Sequence, residues 1–159
     1  MLKYLALAPI LFVISITEAQ KPVNTEFVIG SGFLRSSYGI TVEFSVDVNQ
    51  RDPDDPVGWM AAAVFSFPQH LFMTFESTGL TSMAVEKRSA LVAGTAMVLD
   101  SRSDFQGEVE FSVVFEDLNS NKRRSQNDAM MLTLFLPTGT ETFFGHIVPG
   151  DIEVGTRRR

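Results

Sequence analysis

The chain has 159 residues and no cysteine, which excludes the small disulfide-stapled class, thiol catalysis and cysteine-held zinc. Its net charge is −6, and six of its 13 lysines and arginines are gathered in Lys122-Arg123-Arg124 and Arg157-Arg158-Arg159. The remainder is strongly acidic, which argues against nucleic acid or an anionic membrane as a general partner.

The first 19 residues have the three parts of a secretory signal peptide. Lys3 supplies the positive charge. Residues 5–16 (LALAPILFVISI) form an apolar run interrupted only by Pro9 and Ser15. Thr17 and Ala19 put small residues at the third and first positions before a cut after Ala19. The alternative, an uncleaved anchor, needs about 20 apolar residues to span the hydrocarbon, and this run is shorter. Export, a mature chain starting at Gln20, one domain over residues 20–155 and a frayed basic tail at 156–159 are expected. A chain of this length can bury a core without disulfide staples.

Strand signals follow in chain order. Residues 26–29 make a short strand that ends at Gly30, and Gly30-Ser31-Gly32 reads as a flexible link. It lacks the third glycine of a dinucleotide fingerprint and the lysine of a P-loop. In residues 41–48, Val42, Phe44, Val46 and Val48 alternate with Thr41, Glu43, Ser45 and Asp47, the period of a half-buried strand.

Residues 59–67 contain an alanine run that favours helix by propensity. They are read as a strand with Ala61, Ala63, Phe65 and Phe67 on one face and Pro68 as its stop. Residues 57–75 carry no charge and approach spanning length. Pro68, Gln69 and His70 interrupt them, so two core strands joined by a turn are expected instead of a membrane helix. Residues 71–76, 80–85 and 93–99 continue the strand series.

Residues 108–115 alternate again, with Val109, Phe111, Val113 and Phe115 opposite Glu108, Glu110 and Ser112, although Val114 breaks the polar face. Met130, Leu132, Leu134 and Leu136 alternate in residues 130–136. Residues 143–148 and 152–154 end the series. Residues 49–56, 101–107 and 117–128 are polar connections. Seven or eight short strands without a long amphipathic helix predict an all-β fold. The expected form is an antiparallel two-sheet sandwich of immunoglobulin-like type, with a jelly roll or β-barrel as the alternative.

Residues 40–77 resemble the opening half of the immunoglobulin-like conserved-repeat modules of large extracellular and cell-surface proteins. The likeness lies in an alternating strand, a polar loop, an apolar strand, then Pro68 and the apolar residues 71–75, with residues 109–115 as the later strand. It implies a sandwich used for spacing or adhesion. It also suggests Trp59 as the buried inter-sheet tryptophan, although the cysteine pair and the tyrosine corner of antibody domains are missing.

Candidate chemistry is sparse. His70 and His146 are the only histidines, and no G-x-S-x-G elbow surrounds a serine. Glu108 and Glu110 share a strand face that is expected to meet solvent. Asp47, Asn49, Asp52, Asp54 and Asp55 offer hard oxygen ligands suited to calcium, the one cofactor suggested. Their spacing is not that of an EF-hand, and Pro53 and Pro56 suit a plain solvated turn equally. Lys122, Arg123 and Arg124 fit a processing site, a sulfated-glycan patch or a charged hairpin loop. No Asn-x-Ser/Thr acceptor exists. The expected role is a secreted, non-enzymatic module with structural, adhesive or protein-binding function and an extracellular protein partner. It has no nucleic-acid partner and no membrane span in the mature chain. A lectin-like or small-ligand carrier is the alternative.

Overall fold

The computed structural model describes residues 24–36, 39–52, 55–66, 70–118 and 128–158. The expected leader and the loop with Lys122, Arg123 and Arg124 lie outside them. Eight antiparallel strands follow one another around a closed barrel: β1 (Asn24–Arg35), β2 (Ile40–Gln50), β3 (Pro56–Ser66), β4 (His70–Glu86), β5 (Ser89–Asp100), β6 (Phe105–Glu116), β7 (Ala129–Leu136) and β8 (Gly139–Arg158). Each strand pairs with its sequence neighbour, and β8 returns to pair with β1, Val28 opposite Val154 and Asn24 opposite Arg158. Among the described residues no helix is long and apolar enough to cross a membrane.

This closure corrects the expected two-sheet sandwich. Alternation along a strand fixes which side chains share a face, but both architectures use that period. The barrel was the alternative expectation. What separates it is one pairing, β1 with β8, between segments more than 100 residues apart, for which no local pattern exists.

The inward faces form one apolar core. Val42, Phe44, Val46 and Val48 of β2 are buried, as are Val109, Phe111, Val113 and Phe115 of β6 and Met130, Leu132, Leu134 and Leu136 of β7. An eight-stranded barrel is just wide enough for side chains to fill. Aromatic rings meet inside it: Phe75 and Phe111 stand edge to face at 4.9 Å, and Phe44 approaches Phe115 at 6.4 Å between ring centres. Such pairs add about 1 kcal/mol beyond their burial.

Three strands run through positions expected to interrupt them. Gly30 and Gly32 lie inside β1 and do not form a link. A Cβ on Gly30 would stand 2.4 Å from the Asp151 carbonyl oxygen, and one on Gly32 would stand 2.8 Å from that of Pro149. The absent side chains let β8 approach closely. Strand β4 runs through both expected segments, 71–76 and 80–85, with register shifts at Ser77/Gly79 and Leu80/Ser82. Strand β8 joins 143–148 to 152–154. Its first part pairs with β7 and its second with β1. Strand β8 reaches Arg158, within the tail expected at 156–159, and Arg157 lies 4.0 Å over the Phe27 ring and 4.0 Å from Glu153.

Candidate functional site

The alanine run belongs to β3, but its faces are opposite to the expected ones. Met60, Ala62 and Val64 point into the core, while Ala61, Ala63 and Phe65 face outward and are only half-buried. Trp59 is likewise outward and 48 % exposed, so it is not a core tryptophan. Residues 60–64 are all apolar, so no contrast between them marks one face as inner.

Outward alanines leave a depression on the wall. In register, Ser31 of β1, Ser45 of β2, Ala61 of β3, Glu76 of β4 and Met97 of β5 form one row. Phe33, Glu43, Ala63, Thr74 and Leu99 form the next. Small side chains at Ser45, Ala61 and Ala63 make a floor. Phe33 and Pro149 rise on one side, and Met97 and Leu99 on the other. The result is an open groove of about 680 Å³ across five strands.

Two carboxylates, Glu43 and Glu76, line this groove, and neither has an ion pair among the described residues. They stand two strands and two positions apart, which is about 12 Å at ordinary strand spacing and rise. The groove can therefore hold an extended, apolar chain carrying positive charge. The alternation of β2 put Glu43 on the outer face, but nothing local joined it to Glu76, which is 33 residues further along.

Three of the five candidate calcium ligands share one cleft. Asn49, Asp52 and Asp55 line a cleft of about 470 Å³ together with Thr25, Val57, Arg51 and Arg157. Two arginines thus line the cleft beside its acids. Asp47 lies on the outer face of β2, where the Asn49 side-chain amide donates to its Oδ1 at 3.0 Å. Asp54 lies outside the described residues. Among the described residues no three acidic or histidine side chains gather in a way that could hold a metal ion. His70 opens β4 and His146 lies in β8; both are exposed, and neither lines the groove. Glu108 and Glu110 are exposed on β6, where Glu108 accepts from the Thr78 hydroxyl.

The strongest charge cluster went unpredicted. Asp100, at the end of β5, is buried and accepts from the Arg102 N–H at 2.9 Å, its Nε at 3.0 Å and the Ser103 hydroxyl at 3.0 Å. Burial alone would raise the Asp100 pKa, but the bonds from Arg102 and Ser103 outweigh it and hold the carboxyl below its usual range. Arg102 also reaches Glu141 at 2.7 Å and stacks 4.2 Å over Phe72. All these groups are satisfied by one another. They fasten the β5–β6 turn to β8.

No family model, curated protein or solved structure matches this chain, so the likeness to immunoglobulin-like modules gains neither support nor opposition from such comparisons.

Proposed function

We propose that the chain is a secreted, non-enzymatic β-barrel module that binds a protein partner on its outer wall. The partner contributes an extended segment that lies in the groove across β1–β5. The observation that carries this reading is a filled interior beside an open outer groove with two carboxylates lacking ion pairs among the described residues. Phenylalanine rings occupy the space where an eight-stranded carrier would hold its ligand, which favours the wall over the lumen. Outward Glu43, Asp47, Glu76, Glu108 and Glu110 differ from the apolar outer band of membrane barrels. The pattern of residues 1–19 supports export.

The geometry sets the occupant's chemistry. An extended chain covers about 13 Å in four residues. Two lysines or arginines four positions apart, with small apolar residues between them, would meet Glu76 and Glu43 over the alanine floor. A fluorescent peptide containing Lys-Ala-Val-Ala-Lys tests this by anisotropy. It is expected to bind in a salt-sensitive way, and about tenfold more weakly to Glu43→Gln or Ala61→Arg. Undiminished binding to Ala61→Arg, or none to the unaltered protein, would count against the groove. Recovery from the culture medium of a chain starting at Gln20 tests export separately.

A further inference from the structure

We infer that the end of the barrel between β1, β2 and β4 holds a second site, one for a free apolar α-amino acid. A recess of about 410 Å³ opens there, lined by Asn24, Glu26, Gln50, Arg51, Met83, Ala84 and Val85. It lies apart from the groove and shares no lining residue with it.

The position of its polar groups follows from strand register. Glu26 and Gln50 are direct cross-strand partners at the start of β1 and the end of β2. Two positions further in, Val28 and Val48 are fully buried, so Glu26 and Gln50 occupy the same inward face at the mouth. Gln50 is 5 % exposed, and its Oε1 has no hydrogen-bond partner among the described residues. Buried carbonyl oxygens are nearly always paired, because losing water without gaining a donor is costly. A ligand N–H in the recess would remove that cost. Glu26 adds a carboxylate, and it has no ion pair among the described residues. Arg51 lines this recess as well as the neighbouring cleft with Asp52 and Asp55, and it too has no ion pair among the described residues. Met83 and Val85 supply apolar surface.

Glu26, Gln50, Arg51, Met83 and Val85 each find a complement in an amino-acid zwitterion. The ammonium donates to Glu26 and to the Gln50 Oε1, the carboxylate accepts from Arg51, and an aliphatic side chain rests on Met83 and Val85. A diamine would set a second cation against Arg51. A fatty acid could give its anion to Arg51 but would leave the Gln50 oxygen without a donor. Like charges disfavour the diamine and the unpaired buried oxygen disfavours the fatty acid, so both are poorer fits.

Calorimetric titration of the full secreted protein with L-leucine tests the site. Leucinamide lacks the carboxylate, 4-methylpentanoic acid lacks the ammonium, and glycine lacks the side chain. Leucine is expected to bind about tenfold or more tightly than any of the three, the worth of one charge-assisted contact for the first two and of the buried side chain for glycine. Gln50→Leu and Arg51→Gln should each weaken leucine binding about tenfold, while Ala61→Arg in the groove leaves it unchanged. Arg51 is exposed, so its replacement tests the site even if Gln50→Leu fails to fold. Absence of leucine binding, equal binding of leucinamide, or unchanged affinity in Arg51→Gln would each overturn the assignment and leave a recess that holds only water.

Discussion

Asp128 accepts the Leu118 N–H on Oδ1 at 3.0 Å and the Ile152 N–H on Oδ2 at 2.9 Å, tying the approach to β7 to strand β8. Its side chain is buried, and burial raises its pKa above the ordinary carboxylate range. The two N–H bonds oppose that rise, and the neighbouring Asp151 carboxyl adds to it. The folded chain thus holds this proton to a higher pH than the unfolded chain does. Stability from Asp128 is complete below the unfolded pKa and is lost as pH rises through the folded one. Asp151→Asn removes the like charge and should flatten that loss. Urea unfolding midpoints across the acid-to-neutral range would read it, and an unchanged slope would refute the role given to Asp151. Asp100 behaves oppositely. Its lowered pKa gives stability that is present above the ordinary carboxylate range and is lost as pH falls through its folded value.

Among the strands, β3 shows most clearly how a chemical pattern can leave its own orientation undetermined. Ala62 is buried between its cross-strand partners, Phe44 on β2 and Phe75 on β4, whereas Ala63 faces the groove. Ala62→Leu should cost about 1–3 kcal/mol by overfilling the core. Ala63→Leu should stay within about 0.5 kcal/mol, as surface changes do. Denaturant unfolding of the two variants decides between the faces, and the reverse order would restore the orientation expected from sequence. Where polar residues alternate with apolar ones, as in β2 and β6, the alternation alone separates inside from outside. Val114 broke that alternation because it shares a row with Leu91, Met131 and Phe144, three outward apolar residues on neighbouring strands. Glycines at 30 and 32 read as breaks because close approach of another strand is a tertiary fact.

For the molecule as a whole, the all-β class and the inward faces of β2, β6 and β7 were legible, while closure was not. Every strand pair but one joins neighbours in sequence, and that one decides between an open and a closed sheet. Ending the chain after Val148 would remove the β8 residues that pair with Gly32 through Asn24 and expose the edge of β1. Unpaired edges recruit other chains. Sedimentation velocity should show aggregates, and the cooperative thermal transition should vanish; a truncated monomer with an intact transition would mean that β8 is dispensable to closure. The outer groove is also a property of this scale, since Glu43 and Glu76 line one depression only on the assembled wall.

Because β8 must reach back to β1, the ring has a temporal order written into its connectivity. Seven strands can be synthesised and begin to pair while the eighth is still missing. Until Arg158 has emerged from the ribosome, or has crossed a membrane if the chain is exported, β1 keeps a bare edge. A chaperone that shields newly made strands would therefore have its greatest effect during that interval, and pausing translation within the β8 codons would lengthen it.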